Sequence, residues 1–313
     1  MLKYLLQRLA QIPITVVGII TVTFIILRII PGDPVVAYLG DMATAESIAT
    51  MREKFGLQEP LYLQYLDTLK GISKGNFGQS FVTGRSVTNE IFSILPNTIA
   101  LAAASIVFST VFGIMAGIIS ALRLNRVTDY LVMGVSILGV SMPIFWFGLL
   151  LLLLFSYKLN LFPIAGVATK TSWLAQLHAL FLPSFALGFL FLALVARITR
   201  SSMAEVLHSD FVRTVRAKGA SEGLIIYKHA LRNAMIPIVT VIGLNIGVLL
   251  AGAVLTETVF ARPGIGKLLV DSVLSKDYPL VQGIILLIGL IYLFVNLIVD
   301  LLYAYLDPRI KYR

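Results

Sequence analysis

The chain has 313 residues, of which 58% are hydrophobic and 13% charged, with a formal net charge of +9. Soluble domains hold about 45–50% apolar residues with glycine included and about 25% charged ones, so a chain this apolar must have lipid as part of its solvent. The absence of cysteine excludes disulfide scaffolds, thiolate metal sites and iron–sulfur centres. In a polytopic membrane protein, the excess of Lys and Arg marks cytoplasmic loops rather than nucleic-acid binding.

A spanning helix needs about 20 mostly apolar residues. Six segments qualify: 9–30, 96–122, 130–157, 180–197, 234–256 and 280–305. The first is too long for the apolar part of a signal peptide, and no small-x-small cleavage site follows it. It ends at Pro31-Gly32-Asp33-Pro34, a stop for a helix. The fourth is the shortest. With the N-terminus placed inside, the inner pieces carry fourteen Lys and Arg in 59 residues and the outer pieces ten in 109. This bias puts both termini in the cytoplasm.

Spans 2 to 5 hold no acidic or basic side chain apart from Arg197 at the end of span 4, and span 6 holds only Asp300. Intramembrane acids mark proton and ion relays, so their scarcity argues against a self-powered pump. Small residues recur instead, as Ser105, Ser109, Gly113, Gly117 and Ala121 in span 2 and Gly243, Gly247 and Ala251 in span 5. Such stripes let helices approach closely. In span 2 the expectation is packing. In span 5, where Asn245 lies between the glycines, packing and pathway lining both stand.

The outer segment 31–95 predicts a small helical cap. One helix runs from Ala45 to Phe55, with Thr44 as N-cap, Ile48, Met51 and Phe55 on one face and Gly56 as its stop. A second runs from Pro60 to Lys70, with Leu61, Tyr62, Tyr65, Leu66 and Leu69 as its apolar face and Gly71 at its end. The cap either braces the spans or docks an external partner.

The inner loop 197–233 predicts an extension of span 4, a helix at 210–218 capped by Asp210, a break at Gly219, and a second helix at 222–231 capped by Ser221. Phe211, Val212 and Val215 form the apolar patch of the first helix, and Leu224, Tyr227 and Leu231 that of the second. Arg213, Arg216, Lys218, Lys228 and Arg232 surround them. Two readings stand: an amphipathic loop on anionic headgroups, or a knob that faces another protein.

No catalytic constellation emerges, and the chain reads as a non-enzyme. Pro263-Gly264-Ile265-Gly266-Lys267 has Ala261 and Leu268 where a phosphate loop needs Gly and Ser or Thr. His178, His208 and His229 are scattered without metal-ligand spacing. If transport is active, its energy comes from another chain.

The inner loop, Asp210 to Pro237 with Gly219 at its bend, resembles the EAA loop of ABC importer permeases in the dipeptide/oligopeptide/nickel family, although Arg213-Thr214-Val215 stands where Glu-Ala-Ala would. PGDP at Pro31–Pro34, FGLQEPLYLQY at Phe55–Tyr65, FGQS at Phe77–Ser80, SMPIFW at Ser141–Trp146, ETVFARPGIG at Glu257–Gly266, DYP at Asp277–Pro279 and DPRI at Asp307–Ile310 agree, in order, with the B-type permease of that family. The resemblance implies an all-α, six-helix type I importer fold: a first helix at 1–30, the cap at 31–95, a five-helix core at 96–306 and a tail at 307–313. It implies a second homologous permease, two cytoplasmic ATPase subunits that bind ATP and magnesium, and an extracytoplasmic solute-binding protein, with no cofactor or metal in this chain. Asp210, Phe211, Val215, Arg216, Ala217, Lys218, Gly219 and Ala220 then form the loop that couples to the ATPase. Ser141, Gly243, Asn245 and Gly247 are the candidate pathway residues. Peptides, glutathione and nickel chelates are all substrates of such permeases; peptides are favoured here. The rival class is a self-sufficient channel or secondary carrier.

Overall fold

A computed structural model describes residues 2–40, 43–165 and 172–306, with side chains described for 10–40, 43–165, 172–249 and 253–299. Ala251, the Asp300 side chain, the DPRI motif and the 307–313 tail lie outside those side-chain ranges. Every described element is helical: α1 (Leu2–Ile29), α2 (Pro34–Leu39), α3 (Ala45–Lys54), α4 (Leu61–Ser73), α5 (Val87–Leu122), α6 (Val127–Ser141), α7 (Ile144–Leu151), α8 (Trp173–Leu207), α9 (Asp210–Ala217), α10 (Glu222–Leu224), α11 (Leu231–Val259), α12 (Ile265–Leu274) and α13 (Tyr278–Leu306). π-Helical turns extend α7 through Leu152–Lys158 and join α10 to α11 through Ile225–Ala230. Five helical runs are long and apolar enough to cross a membrane, and the α6–α7 pair makes a sixth if counted as one span.

Two spans differ from expectation. The third is not one straight helix over 130–157, because α6 and α7 meet at 108°. Pro143 has no N–H to continue the ladder, and its ring forces Met142 into extended backbone at φ −84°, ψ 131°. The fourth is not the shortest. It runs 35 residues from Trp173 to Leu207 with Pro183 inside it, or about 50 Å at 1.5 Å per residue, well beyond a hydrocarbon core of about 30 Å. Apolarity ends near Arg197, but the backbone hydrogen bonds continue through the polar stretch, so hydropathy located the lipid boundary and not the helix end.

The chain divides into two units: one up to Thr98 with Pro263–Phe294, the other from Ile99 to Arg262 with the last helix from Val295. In the second unit the α5 stripe packs on α8. A Cβ at Gly113 would lie 3.0 Å from the Leu192 carbonyl oxygen, and one at Gly117 2.7 Å from that of Ala196. Glycine is required there because backbone meets backbone. Reciprocally, Gly188 of α8 lies against the Ser105 backbone. Leu101, Leu187, Phe191 and Leu249 close one apolar cluster among α5, α8 and α11.

In the first unit the PGDP stop also starts a helix that the pattern did not predict. Asp33 accepts from the Val35 amide at 2.8 Å and caps α2, with Pro34 as its first residue. Burial opposes its charge, but its bond to Arg52 and the amides of Val35 and Val36 hold its carboxyl below the usual carboxylate range. Thr44 caps α3 in a reciprocal box with Ser47, and Gly56 follows at φ +67°. The second cap helix continues past Gly71 to Ser73 and ends before Gly75 at φ +74°. Its apolar residues do not share one buried face. Tyr65 bonds Thr21 at 2.7 Å and packs edge-on against Phe24 of α1, while Leu61, Tyr62 and Leu66 stay exposed.

Two motifs far apart in sequence meet here. Buried Asp277 of DYP accepts from the Ser80 hydroxyl of FGQS, from the amides of Phe81 (3.1 Å) and Val82 (3.4 Å), and from Leu280 N (3.3 Å) at the start of α13. Val87, Ile91, Ile265, Leu280 and Ile284 form the apolar cluster beside it.

Candidate functional site

The inner loop forms a knob built on the extended end of α8. Ser209, not Asp210, is the N-cap of α9. Its backbone is extended, and its carbonyl accepts from the Val212 and Arg213 amides at 3.1 and 3.3 Å. Asp210 instead occupies the first turn, fully exposed, where its charge favours the helix N-terminus. After eight residues the chain turns at Gly219, whose φ is +82°, a left-handed angle that L side chains rarely adopt. Across this turn Arg216 clasps Glu222 with two bonds of 2.7 and 3.1 Å. Ser221 is the N-cap of α10, with no side-chain bond. The expected separate helix at 222–231 is instead the start of one continuous run through the π-helical turn into α11. No proline or glycine after Gly223 interrupts it before Pro237.

The knob has a rooted face and an open face. Val212 is fully buried, as are Ile225 and Ala230, so Val212 anchors the knob and does not belong to its surface patch. Val215 and Ala220 are half-buried, whereas Asp210, Phe211, Arg216, Ala217, Lys218 and Gly219 are exposed. Phe211 lies edge-on to His229 at 5.9 Å. Leu224 and Tyr227 add exposed apolar surface, and the five bases around them are exposed too. Beneath the knob, Ile118 and Ala121 of α5, Val195 and Met203 of α8, and Ala230, Ala234 and Ile238 form one apolar cluster. Val206 and Leu207 just before the knob and Ile226 just after it pack against this cluster, so the segments that flank the knob join three long helices.

Sequence reasoning missed a polar lock near this root. Asp129, 1% exposed, takes two bonds from Arg200 of α8 at 2.6 and 2.8 Å. It also accepts from the Ser120 hydroxyl and from the Asn125 amide at 2.9 Å. The available signal was an aspartate two residues into a helix after the Asn125 turn, with Arg200 on a helix extension that hydropathy had cut short.

The candidate pathway residues face different neighbours. Ser141 is exposed at the end of α6. Gly243 is buried against α13, where an added Cβ would lie 2.9 Å from Val299. Asn245 donates to the Val241 carbonyl at 2.7 Å and borders a cavity of about 10 Å³ shared with Ser109 and Val195. Gly247 is half-buried.

Comparison with known proteins places this architecture. Residues 113–312 match the family model "Binding-protein-dependent transport system inner membrane component", and residues 1–102 match the N-terminal model of such membrane components. The chain belongs to this family of membrane-spanning transport subunits, which has no catalytic role of its own. Over the full length of both chains it is 43% identical to the di/tripeptide transport system permease protein DppB of Pseudomonas aeruginosa. It is 38% identical to the dipeptide transport system permease protein DppB of Escherichia coli K12, and 42% identical to the glutathione transport system permease protein GsiC of the same strain, again over full lengths.

Proposed function

We propose that this chain is the permease of an ATP-driven importer of short peptides, and that the α9–Gly219–α10 knob is where cytoplasmic ATPase subunits act on it. The observation that carries this reading is the knob itself, with exposed Phe211, Leu224 and Tyr227 at its open face and flanking segments that join one apolar cluster of α5, α8 and α11. A lipid-surface loop needs no such root, since charge and shallow burial anchor it. A second, homologous permease completes the pathway. Two ATPase subunits bind ATP and magnesium, and an extracytoplasmic solute-binding protein delivers substrate to the cap side. Both termini are cytoplasmic. ATP-driven closure of the partner subunits rocks the permease pair between inward- and outward-facing states, with Ser141, Asn245 and Gly247 along the pathway and Gly243 setting the approach of α13. Peptides are favoured over nickel chelates by the full-length similarity to peptide and glutathione permeases.

The test is co-expression with a homologous permease and two ATPase subunits, followed by reconstitution into liposomes. Peptide uptake that needs ATP and the binding protein supports the reading. Uptake by this chain alone, without ATP, would show a channel or secondary carrier instead.

A further inference from the structure

The first unit encloses a cleft of about 670 Å³ that the permease role above does not use. Small-molecule sites fall in the range of roughly 300–1,000 Å³. Arg28, near the end of α1, borders it. Its guanidinium lies 3.3 Å over the Phe24 ring, donates to the Gln64 side-chain oxygen at 2.9 Å and reaches the Phe24 carbonyl at 3.3 Å. Its Nε is buried with no hydrogen-bond partner among the described residues. Glu59 and Asp67 line the same cleft, yet among the described residues neither forms an ion pair with Arg28, whereas Arg52 pairs with Asp33 and Arg200 with Asp129. Arg28 is half-buried, so its charge is partly desolvated without an acid beside it, and a guanidinium matches a carboxylate geometrically. Tyr38, Phe55, Phe81 and Tyr278 line the same cleft, with Phe55 and Phe81 stacked at 4.1 Å. Aromatic walls accept varied side chains without selecting one.

We infer that this cleft is a binding site for the α-carboxylate of a short peptide, with Arg28 as the carboxylate receptor. A peptide of two or three residues spans roughly 7–11 Å extended, which a cleft of this volume admits. The inference rests on the peptide-importer reading. It adds a second station for substrate on this chain, recognised by its charged end and not by its side chains.

The probes are trialanine and trialanine amide, which differ only in the terminal charge. Binding of each to the permease–ATPase complex in nanodiscs, with the binding protein left out, is measured by saturation-transfer NMR and calorimetry. The expected result is at least tenfold tighter binding of the acid, and loss of that preference in Arg28→Gln. Equal binding of acid and amide to the unaltered complex overturns the inference, and needs no variant that must fold. A preference that survives in Arg28→Gln overturns the assignment to Arg28. Repeating the acid measurement in nanodiscs of neutral and of anionic lipid separates a peptide site from a headgroup site: competition by anionic lipid with no acid preference in neutral nanodiscs would also overturn it. In the same preparation, ATP-dependent peptide uptake with binding protein restored tests the importer reading separately. Uptake without an acid preference sinks only the cleft, whereas absence of uptake sinks the function.

Discussion

Gly219→Val isolates the knob from the rest of the fold. A Cβ at Gly219 would meet nothing within 4 Å, so the substitution creates no clash, and the penalty comes from the backbone alone. At φ +82° an L residue pays roughly 1–2 kcal/mol, and a β-branched one pays it without the local hydrogen bonding that eases Asn into this region. One to two kcal/mol is about a 5- to 30-fold shift in a local equilibrium. The turn then opens or moves, the Arg216–Glu222 clasp is lost, and α9 leaves the register that Val212 fixes. The spans keep their packing, so the protein still inserts. The assay compares Gly219→Val, Gly219→Asn and the triple loss of Arg213, Arg216 and Lys218 at matched membrane levels, scoring ATPase co-purification, basal ATP hydrolysis and peptide uptake. Val should lose association, or hydrolyse ATP without uptake, and Asn should lie close to wild type. Normal coupling in Val, with failure confined to the charge-removed variant, would refute the knob and favour a loop held on lipid headgroups.

Other expectations follow from single contacts. Gly117→Val places side-chain atoms against the Ala196 carbonyl, and this overpacking should cost about 1–3 kcal/mol, lowering the detergent melting temperature; an unchanged melt would mean α5 and α8 can separate freely. Asp129→Ala leaves Arg200, 28% exposed, without its partner. Breaking such a pair costs about 3–5 kcal/mol when fully buried, and the partial exposure puts the loss toward the lower end; a melt within error of wild type would contradict the lock. Asp277→Ala strands the buried Ser80 hydroxyl and Leu280 amide and the part-buried Phe81 and Val82 amides, each fully buried donor left unmet costing about 1–3 kcal/mol. Hydrogen exchange at residues 80–83 should accelerate while that of α8 stays slow, and unchanged protection at 80–83 would count against the latch.

Much of this protein was legible in order along the chain. Composition fixed lipid as a solvent, and turn chemistry placed Thr44 as a cap and Gly56 and Gly219 at left-handed turns, because caps and turns depend on residues within a few positions of one another. The small-residue stripe of α5 announced a close helix contact without naming α8 as its partner. Hydropathy failed where a helix outlived its membrane segment, as at α8, and where one proline broke a mostly apolar run of 28 residues, as at Met142-Pro143. The tertiary structure alone decided the rest. It buried Val212 while leaving Phe211 open, and it joined Asp277 to Ser80 and Asp129 to Arg200 across 197 and 71 positions. It left Arg28 at the edge of a cleft with no described acid paired to it. Sequence patterns report what each residue prefers locally, but burial and pairing depend on which distant helix arrives, and that is set by the packing of the whole chain.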